Sequence, residues 1–99
     1  MTTPKVKIAR LVPPSGDKHW SFQVINLSTE EVSAIRGGLR REAVAPARPF
    51  LQGCDGGWLM VEFWVASEQL ARAAAADLAE LLGVALIDGN FTRADLGLD

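Results

Sequence analysis

The chain has little of what catalytic and metal-binding sites are most often built from. Its 99 residues include one cysteine, Cys54, and one histidine, His19. A single cysteine excludes an intrachain disulfide, so we expect a reducing, cytoplasmic location. One cysteine and one histidine also cannot supply the ligands of an ordinary zinc site, and no motif predicts any other cofactor.

Long hydrophobic stretches are missing as well. Uncharged apolar runs are only a few residues long, as from Trp58 to Val61, whereas a membrane-spanning helix needs about 20 apolar residues. The N-terminal residues Met1 to Lys5 lack the apolar segment of a secretory signal peptide. We therefore expect no membrane partner.

Catalytic motifs are equally scarce, which favours a protein that binds rather than catalyses. The glycines within 53–57 lack the phosphate-loop pattern and its Lys-Ser/Thr ending. Glu62 has no second carboxylate at a defined spacing, as acid–base catalysis would need. A nucleophilic pair of Cys54 and His19 would require the two side chains within hydrogen-bonding distance, and nothing in the sequence predicts that proximity.

Composition and length predict one globular domain over residues 1–99, with flexible tails at 1–4 and 91–99. Hydrophobic residues make up 48% and charged residues 22% of the chain, with a net charge of −2. Residues 1–50 hold eight basic and four acidic side chains, whereas residues 51–99 hold two and eight. This asymmetry can steer a partner or support head-to-tail self-association, or the two halves can neutralise each other across the folded surface.

The chain resembles itself at an offset of 38 residues. Six identities occur across 27 aligned positions, where about two are expected from average residue usage. Among them, Trp20 matches Trp58, and the similar pair Phe22 and Met60 lies two residues further on. The offset predicts two copies of a strand–turn–strand–helix unit, each too small to bury its apolar face alone.

Hydrophobic periodicity and turn residues predict seven elements. The predicted strands are Lys5–Val12, Trp20–Val24, Phe50–Gln52, Trp58–Val65 and Val84–Ile87. One helix is expected to start at the Ser28 cap and to end near Arg36, because Gly37-Gly38 weakens it. The second helix spans Glu68–Leu82, with Leu70, Ala74, Leu78, Leu81 and Leu82 as its inner stripe and a Glu68–Arg72 pair outside.

The order ββαββαβ predicts an α+β two-layer sandwich, with two helices on one face of a mainly antiparallel sheet. Two arrangements fit this order. One is a tandem ββα repeat, and the other is a ferredoxin-like βαββαβ core with an added N-terminal strand.

The segment Trp58–Val65 is the sharpest local feature. Its odd positions form an apolar face that suits packing under helices, whereas Trp58, Met60, Glu62 and Trp64 point to the other side. Two tryptophans on the water-facing side of a two-layer fold predict a cover. That cover is a second copy of the chain or another protein, the chain's own loop at 43–49 or tail at 91–99, or a ligand.

We expect the first of these, a homodimer or an adaptor domain that binds a partner protein. The predicted partner-binding surface contains Trp58, Met60, Glu62 and Trp64, with Trp20 and Phe22 added from the repeat-related positions. Glu62 must lie at a polar rim or find a cation, because an unpaired buried charge is costly. Arg10 and Arg48 are the candidate cations.

An alternative function follows from the basic cluster Arg36, Arg40 and Arg41. Beside the aromatic strand, these arginines would form a nucleic-acid or anionic-ligand site. However, residues 58–65 lack the aromatic signature of RNA-binding sheets, and the chain is acidic overall. Three arginines near a helix end also satisfy its carbonyls and its negative dipole.

Overall fold

One mixed sheet of five strands and two α-helices form the fold that the computed structural model describes for residues 7–16, 19–55, 58–64, 67–89 and 92–93. The elements are β1 (Ile8–Val12), β2 (His19–Ile25), α1 (Thr29–Gly38), a 3-10 turn (Ala45–Ala47), β3 (Pro49–Asp55), β4 (Trp58–Trp64), α2 (Glu68–Leu82) and β5 (Ala85–Asp88). The predicted α+β class is therefore confirmed. The predicted tails, apart from 92–93, and the Cys54 side chain lie outside the described residues.

The strands follow the order β3-β4-β2-β1-β5 across the sheet. All neighbours are antiparallel except β1 and β5, which are parallel. The edge strand β3 begins at Pro49, where the missing N–H costs no ladder bond, and carries an irregularity between Gln52 and Cys54. Strand β4, with its two tryptophans, lies next to this edge.

Cross-strand register divides the sheet side chains between two faces. Phe22 pairs with Val61 and Val24 with Leu59, and all four are fully buried in one core with the helices. We call the side turned away from the helices the open face. Its residues are Ile8, Arg10, Val12, His19, Ser21, Gln23, Ile25, Phe50, Gln52, Trp58, Met60, Glu62, Trp64, Ala85 and Ile87.

Helix α2 covers the sheet mainly with small residues. Ala71, Ala74, Ala75 and Ala79 are buried with Leu78, so the helix axis approaches the sheet closely. The Ser67 hydroxyl accepts the Leu70 N–H at its start, and Gly83 ends it with a positive φ of 68°.

The predicted Glu68–Arg72 pair is confirmed, with Arg72 Nε 2.8 Å from Glu68 Oε2. The placement of Leu70 in the inner stripe is wrong, because its side chain is 39% exposed. The neighbouring Ala71 is fully buried in the core, so the buried stripe starts one residue further on and Leu70 lies at its flank. The large side chain of Leu70 suggested a phase that the smaller alanines actually set.

Helix α1 continues through Gly38, so the predicted end near Arg36 is wrong. A Cβ added to Gly38 would lie 2.6 Å from Leu81 Cδ2 and 3.2 Å from Leu78 Cδ2. The glycine therefore permits a close approach of α1 and α2. Tertiary packing of this kind outweighs the helix propensity that glycine lacks.

A capping box and an ion pair fix the start of α1. Glu31 N–H donates to the Ser28 hydroxyl at 3.2 Å, and Ser28 N–H donates to Glu31 Oε1 at 3.0 Å. Lys7 Nζ, just before β1, lies 2.7 Å from Glu31 Oε2. The hydrogen bonds from Lys7 and from the Ser28 backbone lower the pKa of Glu31.

The two glycines of α1 provide a matched pair of variants. We expect Gly37→Ala to stabilise the protein by roughly 0.5–1 kcal/mol, because alanine favours the helix and the added Cβ meets no atom within 4 Å. Gly38→Ala is expected to be the less stable variant, because Leu81 and Leu78 must move. Urea unfolding of both variants measures the difference. Equal stabilisation by both substitutions would show that the helices have room for the extra methyl group.

The ionised form of Glu31 stabilises the fold, so its contribution is present above its unfolded pKa of about 4.3 and is lost as the pH falls through its lower folded pKa. We expect Glu31→Gln to destabilise the protein most near neutral pH. The difference in the free energy of unfolding between Glu31→Gln and the wild type should narrow below about pH 4. Glu30→Gln removes the same charge from a residue that forms no ion pair within the described part of the chain. A gap independent of pH would contradict the assignment.

Candidate protein-binding face

Exposed aromatic side chains collect on the open face at β3 and β4. Phe50 and Trp64 are each 53% exposed and Trp58 is 43% exposed. We call these three residues the aromatic patch. Across the described residues, one further large hydrophobic side chain is exposed, namely Leu70 on α2 at 39%. The three side chains share one face of the sheet, with Phe50 diagonally across from Trp64 at one end of β4 and Trp58 on the order of 20 Å away at its other end.

The rest of the open face is less accessible. Ile8 and Ile25, a cross-strand pair on β1 and β2, are only 6% and 4% exposed although they lie on the side away from the helices. Met60 is half-buried between Gln23 and Gln52 on the neighbouring strands. The large exposed apolar side chains of the open face therefore lie on its β3–β4 side.

His19 stacks against Trp64 at one end of this surface. The two residues are opposite each other in the β2–β4 register, and their ring centroids are 3.8 Å apart at an interplanar angle of 47°. The contact restricts the rotamers that the Trp64 indole can adopt.

The register also separates His19 from Cys54. Cys54 pairs with Leu59, whereas His19 pairs with Trp64, five residues further along β4. At about 3.3 Å per residue, the two positions are on the order of 16 Å apart along the sheet. A cysteine–histidine nucleophile is incompatible with this spacing.

Arg10 lies on the open face near the other tryptophan. Its Nε donates to Gln23 Oε1 at 2.7 Å, and its guanidinium carbon is 6.0 Å from the centroid of the Trp58 ring. Partial burial lowers the pKa of Arg10. The hydrogen bond and the ring contact occupy Arg10, which was one of the two cations expected beside Glu62.

Glu62 has no cation beside it in the described part of the chain. Its half-buried side chain lies between Ser21 and Phe50 on the adjacent strands and forms neither an ion pair nor a hydrogen bond with any described residue. The second expected cation, Arg48, is exposed and equally unpaired within that part of the chain. The backbone of Arg48 adopts a φ of 47°, and its carbonyl accepts the Trp64 N–H at 3.4 Å.

Trp20 and Phe22 do not belong to this surface. Both lie on the helix-covered face, where Phe22 is fully buried and Trp20 packs against the core, with the Arg72 guanidinium 5.9 Å from the centroid of its ring. Because Trp20 pairs with Phe63, residues of β2 and β4 with the same parity face opposite sides. An even offset such as 38 therefore matches side chains on opposite faces, and the prediction that Trp20 and Phe22 join Trp58 and Trp64 is wrong.

The two helix caps would have indicated a different offset. Ser28 caps α1 and Ser67 caps α2, and they are 39 positions apart. An odd offset matches Phe22 with Val61, which lie on the same face. Capping serines were visible in the sequence, so this signal was available. Residue identity alone favoured the other register.

The arginine cluster lies in the helical layer. Arg36 is exposed in the last turn of α1, and Arg40 and Arg41 follow in the next turn. Arg41 Nε is 3.2 Å from Asp77 Oδ2 on α2, a buried oxygen held at ion-pair distance without an aligned hydrogen bond. The predicted site with arginines beside the aromatic strand is therefore not formed, because the helical layer and the aromatic patch are on opposite sides of the sheet.

Across the described ranges, no three His, Cys, Asp or Glu side chains come together as a metal site would require. No helix within these ranges has both the length and the apolar character to span a bilayer.

Comparison with protein-family models, with curated proteins and with solved structures found no match.

The three tryptophans differ enough in environment to be told apart by quenching. We expect Trp64→Phe to remove more of the acrylamide-quenchable emission than Trp20→Phe, because the Trp64 indole is half exposed and Trp20 packs against the core. Stern–Volmer measurements on dilute protein test this. An equal loss in the two variants would contradict the assignment of the two faces.

Proposed function

We propose that this chain is a non-enzymatic, self-associating protein-binding domain that docks through the aromatic patch. The observation that carries the proposal is the exposure of Phe50, Trp58 and Trp64 together on one sheet face. Several large exposed aromatic side chains on one sheet face are typical of interaction sites on soluble proteins. Aromatic side chains are also enriched among the residues that dominate binding energy.

The free energy available from the aromatic patch is substantial. A tryptophan can bury about 150–250 Å² on binding, and Trp64 still exposes half of its surface. Covering on the order of 100 Å² per indole contributes about 2–3 kcal/mol. Three such anchors would offset much of the entropy lost on association, which is estimated at 4–15 kcal/mol.

A second copy of the chain is the partner that we propose. Sheets pack face to face at a separation of about 10 Å, with side chains of the two inner faces interdigitating. A two-fold axis would place the aromatic patch of each copy against the open face of the other. An adaptor role, in which the same patch binds a different protein, uses the same surface.

The nucleic-acid alternative receives less support. It needs the arginine cluster and the aromatic side chains on one surface, whereas Arg36 and Arg40 lie in the helical layer. A reducing, cytoplasmic location remains a prediction from the single cysteine.

We further propose that the fold is a ferredoxin-like core with an added strand, β1. Two split βαβ units support this. Strands β2 and β3 are parallel with β4 between them, and β4 and β5 are parallel with β2 and β1 between them. A tandem ββα repeat describes the same elements in sequence order.

Trp64→Asp tests the proposed surface. We expect the wild type to show a concentration-dependent mass in sedimentation equilibrium, and we expect the variant to raise the dissociation constant by at least about tenfold, since it buries a carboxylate in place of an apolar anchor. Leu70→Asp is the matched control, because it adds the same charge at a large exposed hydrophobic residue outside the aromatic patch, on α2.

A wild type that stays monomeric at all accessible concentrations would contradict self-association. An equal effect of the two substitutions would show that charge, and not the open face, controls assembly. Association that disappears steeply with added salt, together with sensitivity to Arg40→Ala, would favour the nucleic-acid alternative.

A further inference from the structure

We propose that Glu62 of one copy forms an ion pair with Arg48 of a second copy when the open faces dock. This inference rests on the proposed self-association and specifies the polar contact that fixes its register. A second copy is the partner proposed here, because the face that presents Glu62 also carries at its edge Arg48, an exposed cation with no ion pair in the described ranges.

Glu62 supplies the anion of the proposed ion pair. It lies on β4 between Trp64 and Met60 on the same face, and it is already half-buried before docking. Covering the aromatic patch must remove further water from this carboxylate. A carboxylate that is desolvated without a cation is strongly destabilised, so the docked copy has to supply one.

Arg48 supplies the cation of the proposed ion pair. Most other cations in the described part of the chain already have partners or lie elsewhere. Lys7 is paired with Glu31, Arg41 with Asp77, and Arg72 with Glu68 and Asp88. Arg10 bonds Gln23 beside Trp58. These contacts account for four of the eight lysine and arginine side chains in the described ranges, and Arg93 also has an interaction partner. The remaining three differ in where they lie.

Arg36 and Arg40 are exposed but belong to the helical layer. Arg48 is exposed, forms no ion pair within the described ranges, and lies at the edge of the aromatic patch, where its carbonyl accepts the Trp64 N–H. It is therefore the described unpaired cation that a docking event at this surface would reach.

The positions suit a two-fold axis. Glu62 is two residues from Trp64 along β4. Arg48 immediately precedes β3 and lies opposite Trp64. The Cα atoms of Glu62 and Arg48 are then roughly 8 Å apart within one copy, from the rise along a strand and the spacing between strands. An axis midway between them brings each Glu62 to the Arg48 of the other copy, so the contact forms twice.

The test exchanges the two charges between chains. In Glu62→Arg, each predicted contact becomes Arg against Arg, and in Arg48→Glu it becomes Glu against Glu. We expect each variant alone to raise the dissociation constant by about tenfold or more. A 1:1 mixture of the two variants restores both contacts as Arg–Glu pairs, so we expect a heterodimer of wild-type affinity, seen by native mass spectrometry as a species of intermediate mass.

Arg36→Glu is the matched control, because it makes the same change of net charge in the helical layer and is expected to shift the dissociation constant by less than about threefold. Thermal unfolding of each variant verifies folding. If a charge-reversed chain does not fold, Glu62→Gln, Arg48→Gln and their double variant replace it. A coupling between the two substitutions then supports the pair, and additive effects overturn it.

The outcomes separate the two proposals. If Trp64→Asp abolishes association but the mixture of charge variants fails to form the heterodimer, the patch stands and the Glu62–Arg48 contact is overturned. If each charge variant associates as the wild type does, the contact is also overturned. If the wild type never associates, the proposed function fails and this inference fails with it.

Discussion

The antiparallel register between β2 and β4 is the constraint on which the rest of the structure depends. It places Phe22 opposite Val61 and Val24 opposite Leu59, and so aligns the apolar residues of two central strands under the helices. Side chains alternate along a strand, so the same register sends Trp58, Glu62 and Trp64 to the other side. A shift of one residue would exchange core and surface along the whole of β4.

The helical layer completes this division because it is built from small residues where it meets its neighbours. Alanines on α2 and Gly38 on α1 let the helices lie close to the sheet and to each other, which leaves the larger apolar volume to the strands. Both helices are on one side, so the sheet has a covered face and an open face. The aromatic side chains on the open face are exposed because no helix covers that face. The proposed docking surface follows from this one-sided layering.

Much of the architecture was predictable from local pattern. The period of two in Trp58–Val65 predicted both the strand and the separation of its tryptophans from its core residues, and serine caps located both helix starts. Errors arose where a second element decides the outcome. Trp20 and Phe22 were assigned by residue identity at an offset of 38, whereas only the pairing with β4 shows which way they face. Gly37-Gly38 was expected to end α1 near Arg36, whereas the helix includes both glycines and ends at Gly38, where the absence of a Cβ leaves room for Leu81 of α2.

Local patterns in the chain were enough to predict the elements, their order and the two-sided character of β4, because these depend on propensity, capping and periodicity within short segments. Which side chains come together on one face was set by the tertiary fold. It separated Phe22 from Trp58, put the arginines of α1 on the far side of the sheet from the aromatic patch, and left Glu62 without a cation in the described part of the chain. These outcomes depend on pairing between residues distant in sequence. One strand's pattern fixes its own alternation, but the neighbouring strands and the covering layer fix which side meets water.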